Sequence, residues 1–476
     1  MPKITFMGAG SSVFAKNVLG DCLCMESLQK AHIALYDIDP QRLRESKMMM
    51  DNLNANINAG RARITAHCGP QQRREALRKA DYVVNAIQVG RYKPSTVIDF
   101  EVPKKYGLRQ TIGDTLGIGG IFRTLRTVPV LQDFARDMNR VCPNALFLNF
   151  SNPVSMLTGA LLREDVRAVG LCHSVQVCAA GLLNRVGILP EKIKKLQWKV
   201  AGINHQGWLL EITDGGHDLY PEIKKRAAAS IARIMKKGGA RKYGAVLREL
   251  CERARKRGED IREKQYCIDY NVTRDMVRMS MMLRFGYHIT ESSEHSAEYM
   301  PYWIKNAYPE LIDRYNIPLD EYPRRCVKQI KNWKKQRDEL VKNKHLTHQK
   351  SHEYGSLIMD AMETDCPTRI GGNVMNNGLI PNLPANACVE LACMVDRNGV
   401  QGCFVGNLPE QCAALNRACI NVQLLTLEAV FTHRKDYIYQ AAMMDPHTSS
   451  ELSIDDIIAL CDDLIKAHGN ILPKYR

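Results

Sequence analysis

No run of this chain approaches the roughly 20 consecutive apolar residues that cross a bilayer, which excludes a helical membrane protein among its 476 residues. The first residues enter an apolar, strand-like stretch, Ile4-Thr5-Phe6-Met7. The basic segment and small-residue cleavage site of a secretory signal are missing, so no export is expected. Aromatic residues are few, at 7%. The formal charge of +15 is concentrated between Lys224 and Lys264, where 15 residues are Lys or Arg. That stretch is built of helix formers such as Arg248-Glu249-Leu250-Cys251-Glu252-Arg253-Ala254 and lacks the run of stacking aromatics that marks a single-strand nucleic-acid site. It reads as a solvated helical excursion, with no nucleic-acid or membrane partner expected. The 16 cysteines are scattered, often in apolar contexts such as Cys388, Cys393 and Cys419. They fit reduced core thiols in a cytoplasmic protein rather than a disulfide framework. What remains is a chain 45% hydrophobic, long enough to bury a large core and divide into two or more domains.

The amino-terminal part alternates strands and helices. Lys3-Ile4-Thr5-Phe6-Met7 runs into Gly8-Ala9-Gly10-Ser11-Ser12-Val13 and then a helical pattern. Glycines let backbone approach a pyrophosphate seated at the helix start. Val13 stands where the fingerprint has its third glycine, so the features that follow carry the argument. A second apolar strand, His32 to Tyr36, ends in Asp37-Ile38-Asp39; a carboxylate there binds ribose hydroxyls and favours NAD over NADP. The runs 81–86 and 145–150 continue a parallel, doubly wound sheet. Residues 111–123 form a glycine-rich stretch around Asp114, expected as a loop that covers the active site.

Beyond this pattern the strand-like run 166–171 leads into Cys172-His173-Ser174-Val175, and 198–203 leads into Asn204-His205. Cys172 and His205, at the ends of neighbouring predicted strands, can be core packing or metal ligands. From the residues alone both readings stay open.

In their order, Gly8-Ala9-Gly10-Ser11, Asp114-Thr115-Leu116-Gly117, Ser151-Asn152-Pro153-Val154, Cys172-His173-Ser174-Val175, Gly202-Ile203-Asn204-His205 and Asn382-Leu383-Pro384 resemble the NAD- and manganese-dependent glycosidases of glycoside hydrolase family 4. The resemblance covers essentially the whole chain. The Cys-His-Ser-Val version, Thr290 to His295 and Ala441 to His447 are most similar to the bacterial branch acting on non-phosphorylated α-galactosides. The segment Lys93-Pro94-Ser95-Thr96 lacks the nearby arginine of phosphoglycoside members. The resemblance implies hydrolysis of terminal α-D-galactosides by redox, elimination and addition. NAD+ takes a hydride from C3, a base removes the acidified C2 proton, the aglycone leaves, water adds at C1, and the hydride returns.

The same resemblance assigns Cys172 and His205 to Mn2+, Asn152 to the substrate, Asp114 to support of the base, and His173 to the general-acid position. Gly8, Gly10, Ser11 and Asp37 fall to NAD. The base lies among Glu294, His295, Glu298 and Tyr299. The expected fold is α/β, lactate/malate dehydrogenase-like: a Rossmann-like NAD-binding domain over residues 1–200, then a mixed α/β substrate and oligomerisation domain over 201–476. A homodimer or homotetramer is expected. The alternatives are the same machinery on α-glucosides or on α-glucuronides and α-galacturonides, and an NAD-dependent 2-hydroxyacid dehydrogenase that needs no metal.

Overall fold

A computed structural model describes residues 1–476. Its strands are β1 (Lys3–Met7), β2 (His32–Asp37), β3 (Arg63–Cys68), β4 (Tyr82–Asn85), β5 (Leu146–Asn149), β6 (Ala168–Gly170), β7 (Leu196–Ile203), β8 (Gln206–Asp214), β9 (His217–Asp218), β10 (His288–Ile289), β11 (Thr368–Met375), β12 (Cys388–Asp396) and β13 (Gly399–Gly402). The first six pair in parallel in the order β3-β2-β1-β4-β5-β6, the strand order of a dinucleotide-binding Rossmann sheet. The sheet continues antiparallel through β11, β12, β7, β8 and β10. This is the doubly wound sheet with a mixed α/β continuation that the sequence leads one to expect.

Successive residues of a strand face opposite sides of a sheet, and the core follows that rule. Phe6, Val84 and Leu148 enter one apolar cluster, while their neighbours Met7, Val83 and Phe147 enter the other. The parallel half is therefore buried on both faces, as its continuous apolar runs require. β3 is different: Arg-Ile-Thr-Ala-His-Cys is half-polar and has no buried residue, as suits the edge of a sheet.

Two expectations are corrected, and the junction expected at residue 200 can be placed on the sheet. Cys172 and His205 do not end neighbouring strands, because β11 and β12, from far along the chain, insert between β6 and β7. A boundary at residue 200 falls inside β7, and both halves share one sheet. Residues 111–123 are not a covering loop: all are buried, and a 25-residue helix, Gly117–Val141, begins within them. Its glycines serve close packing. A Cβ on Gly120 would stand 2.6 Å from the Thr115 carbonyl, and one on Gly119 would collide with the Gly113 carbonyl.

The basic stretch forms two amphipathic helices, Tyr220–Lys236 and Ala240–Lys256. They bury Ile223, Ala227 and Ile234, and Leu247, Cys251 and Ala254, and leave their cations outward. No helix is long and apolar enough to cross a membrane.

Candidate active site

The turn after β1 is shaped by its glycines. Gly8 adopts a φ of +88°, and a side chain there would press to 2.9 Å from the Ala86 carbonyl. The Gly10 amide donates to Asp37 Oδ2 at 2.7 Å, and a Cβ on Gly10 would stand 2.8 Å from the same oxygen. Ser11 is exposed at the mouth of the helix Ser12–Leu23. Asp37 Oδ1 accepts the amide of Asp39 at 2.8 Å, which fixes the carboxylate at the tip of β2. A side-chain-free turn, the positive end of a helix and an anchored carboxylate meet here, the geometry that receives a pyrophosphate and a ribose.

The second half of the site is built from side chains. Cys172 follows β6, its amide donating to the Tyr354 hydroxyl at 2.8 Å and its Sγ accepting from Ser174 Oγ at 3.3 Å. His205 sits at the tip of the β7–β8 hairpin with a φ of +65°. One ligand atom from each of Cys172, His205 and Glu291 lies within 4.8 Å of the others. Glu291 Oε2 is 3.6 Å from His205 Nε2. The other ring nitrogen, Nδ1, faces the Tyr299 hydroxyl at 3.4 Å.

Glu291 is the residue that sequence reasoning missed. It stands four residues before His295 at the entry to the short helix Ser293–Glu298, a spacing that puts two side chains on one face. The His295 ring meets His205 edge-on, with centroids 4.6 Å apart. Its Nδ1 is 2.9 Å from Ser292 Oγ, and its Nε2 is 3.8 Å from Asp114 Oδ1. Asp114 accepts from Thr115 Oγ1 at 2.7 Å and from Asn152 Nδ2 at 3.0 Å, and Arg123 stands 3.9 Å away.

Charge in this pocket is tightly coupled. Burial works to raise the Asp114 carboxyl, yet the His295 imidazole and the Arg123 guanidinium hold it well below the usual carboxylate range. Burial opposes a charge on His205, but Cys172, Glu291 and Asp114 push it up to about 10. Glu291 in turn is held at about 2, against burial, by His205 and His295. Two carboxylates and a thiol around one imidazole make this a place where positive charge is favoured.

The remaining expected residues separate. Glu294, one turn position from His295, engages Arg325 at 3.3 Å instead of the Cys172 cluster. Glu298 accepts the amides of Thr111, Ile112 and Gly113 at 2.8, 3.1 and 2.8 Å and so holds the bend that leads to Asp114. Tyr299 is buried behind His205, and burial beside Glu298 raises its hydroxyl well above the ordinary tyrosine value. His173 keeps 46% of its side chain exposed while Nε2 contacts Glu353 Oε2 at 2.7 Å.

Comparison with known proteins bears on this arrangement. A profile described as Family 4 glycosyl hydrolase matches residues 3–188, and one described as Family 4 glycosyl hydrolase C-terminal domain matches residues 200–448. An alpha-galactosidase of Bacillus subtilis (strain 168) is 55% identical over 477 residues, covering 100% of both chains. An alpha-galactosidase of Rhizobium meliloti (strain 1021) is 31% identical over 99% of this chain and 89% of its own. Among solved structures, a 6-phospho-alpha-glucosidase from gut microorganisms, in complex with NAD and Mn2+, superposes with a TM-score of 0.74 at 19% identity and covers 100% of each chain. At that identity the likeness is one of fold.

Proposed function

The chain belongs to glycosyl hydrolase family 4, and from that membership we propose that it hydrolyses terminal α-D-galactosides with NAD+ and Mn2+ as cofactors. NAD dependence sets this family apart from the two-carboxylate glycosidases. The observation that carries the choice of sugar is the 55% identity, without truncation on either side, to an alpha-galactosidase.

The residues present fit both groups. The Gly8–Ser11 turn leaves the space that a Cβ on Gly10 would close, with Asp37 fixed beside it. Cys172, His205 and Glu291 offer a thiolate, an imidazole and a carboxylate to one point. The Glu291 oxygen is the donor best suited to a hard ion such as Mn2+. When bound at the Gly8–Ser11 turn and Asp37, NAD+ would supply a hydride acceptor, and a divalent cation held by Cys172, His205 and Glu291 would supply Lewis acidity.

The chain's own residues divide the remaining work. His295 takes the C2 proton, because it stands between Asp114 and Glu291 and beside His205. Asp114 stabilises the imidazolium that results. Tyr299 faces the Nδ1 of His205, the nitrogen turned away from Glu291, so it orients that ring rather than touching the sugar. Asn152, tied to Asp114 through Nδ2, presents its carbonyl oxygen to a sugar hydroxyl. His173, half-exposed and held by Glu353, gives its proton to the departing glycosidic oxygen. A homodimer or homotetramer in the cytoplasm completes the proposal; the absence of disulfides among the cysteines supports that location.

Hydrolysis of 4-nitrophenyl α-D-galactoside tests the reading. The expected result is cleavage without net NADH, lost with a chelator and restored by Mn2+, with deuterium at C2 of galactose formed in heavy water. Cleavage of only a uronide or a glucoside would overturn the choice of sugar. Stoichiometric NADH without a metal requirement would overturn the hydrolase.

A further inference from the structure

One buried carboxylate outside this machinery stands among the three segments that carry the metal-ligating residues. Glu390 lies on β12 and is 1% exposed. Its Oε1 accepts from Asn204 Nδ2 at 3.0 Å, and Asn204 is the residue before His205. The same oxygen accepts from Asn373 Nδ2 at 3.1 Å, and that amide also donates to the Gly170 carbonyl at 3.2 Å, two residues before Cys172. Asn373 and Glu390 are cross-strand partners on β11 and β12. The inserted strands thus fill the interval between the ends of β6 and β7 with this pair.

The third segment is reached through Glu390 Oε2. That atom and Thr290 Oγ1 each lie 3.2 Å from the point where a Cβ on Gly207 would stand. Both are buried without a protein hydrogen-bond partner. Thr290 precedes Glu291, and its amide donates to the Gly207 carbonyl at 2.9 Å. The absence of a side chain at Gly207 keeps the two groups facing.

We propose that Glu390 is a positioning residue that sets Cys172, His205 and Glu291 in mutual register through Asn373, Asn204 and Thr290. It makes no contact with the ion itself. Groups outside the ligand set orient the ligands, and their loss lowers metal affinity. The inference rests on the reading of Cys172, His205 and Glu291 as metal ligands.

The test is Mn2+ titration of the NAD+-loaded protein, with free Mn2+ read by electron paramagnetic resonance, together with the absorption bands of the Co2+-substituted protein. Glu390→Ala should weaken Mn2+ binding roughly 10–100-fold and shift the Co2+ bands, with NAD+ affinity unchanged. Glu390→Gln keeps an oxygen for both amides and should restore most of the affinity and the parental bands. A folded Glu390→Ala protein that binds Mn2+ as the parent does, or a Gln variant as weak as Ala, overturns the proposal.

Should Glu390→Ala not fold, Gly207→Ala decides, because its methyl wedges Glu390 from Thr290. Weakened Mn2+ with intact NAD+ binding is expected, and unchanged Mn2+ binding overturns the proposal. If the parent takes up no Mn2+, or Cys172→Ser takes it up equally well, the metal-site reading falls and this inference with it. Binding lost at Cys172 but indifferent to residues 207 and 390 removes the inference alone.

Discussion

The turn at residues 8–11 and the cluster around Cys172 both extend the parallel half of one sheet, at the ends of β1 and β6, yet they are made of different material. The first is backbone: two glycines, a helix mouth and one carboxylate contributed by the next strand. The second draws Cys172, His205, Glu291, His295 and Asp114 from segments scattered between residues 114 and 295, with His205, His295 and Asp114 buried, Cys172 and Glu291 partly so, and the group linked by charge. A site of backbone tolerates changes one at a time, because each amide adds a modest increment. A site of mutually charged side chains fails as a unit.

The difference is tested most severely at Cys172. Lewis-acid assistance is worth several kcal/mol, so Cys172→Ser should lower galactoside hydrolysis by at least ~10³-fold and abolish tight Mn2+ binding. NAD+ affinity, measured by fluorescence titration, should stay at the parental value. Parallel loss of NAD+ binding would mean that the two regions are not separable. His295→Ala comes next. Removal of a general base costs about 10²–10⁴-fold in turnover, and exchange of the C2 hydrogen with heavy water should fall by the same factor while Mn2+ affinity holds. If Tyr299→Phe instead abolishes exchange with His295→Ala active, the assignment of base and orienting residue is reversed.

The same contrast governs what could be read from the chain. The dinucleotide turn and Asp37 were legible because their geometry is local: a strand, two glycines and the end of the following strand stand in fixed order. β1, β2, β4, β5, β6 and β7 announced themselves as strand-like runs. β3 did not, since an edge strand reading Arg-Ile-Thr-Ala-His-Cys buries nothing and carries no hydrophobic signal. Gly117, Gly119 and Gly120 suggested a loop but serve a tightly packed helix start, because glycine marks close approach as readily as flexibility. Cys172 and His205 stood out by resemblance. Glu291 did not, because the choice between it and Glu294 depends on the face of the helix beginning at Ser293. One points to His205 and the other to Arg325. Nor could any local pattern show that β11 and β12 insert between β6 and β7.

A milder change isolates the backbone-built end. Asp37→Ala removes the acceptor of the Gly10 amide and the partner expected for the ribose. Hydrogen bonds to charged groups contribute about 1.5–3 kcal/mol, part of which water recovers, so NAD+ affinity should fall roughly tenfold, with NADP+ discriminated against less. Saturating NAD+ should restore turnover, and Mn2+ binding should not move. A drop in turnover that NAD+ cannot rescue would show that Asp37 also acts on the second region.

The smallest effect concerns the strap that joins the two ends. Asp21, on the helix that follows the glycine turn, accepts from Ser351 N at 2.8 Å and Ser351 Oγ at 2.6 Å, and His348 Nε2 stands 2.6 Å from it. A few residues on, Glu353 holds His173 and the Tyr354 hydroxyl donates to the Cys172 carbonyl. Burial works against the Asp21 carboxylate, but the bonds from His348 and Ser351 hold its pKa below the ordinary value. A carboxylate depressed in the folded state adds stability above its unfolded pKa and loses it as pH falls through the folded one. The contribution is therefore complete at neutral pH, begins to fall near the unfolded value of about 4, and is gone only below the depressed folded value. Asp21→Asn should cost about 1–3 kcal/mol at pH 7, with the gap from the parent closing in acid as the parent's own carboxylate takes up its proton. Because the strap grips the helix that begins at the glycine turn and the backbone of Cys172, NAD+ and Mn2+ affinities should each fall by roughly 0.5–1 kcal/mol, a few-fold in titrations of the two ligands. A variant that loses stability yet keeps both affinities would show that the strap only braces the fold, and that the two regions meet solely at the substrate.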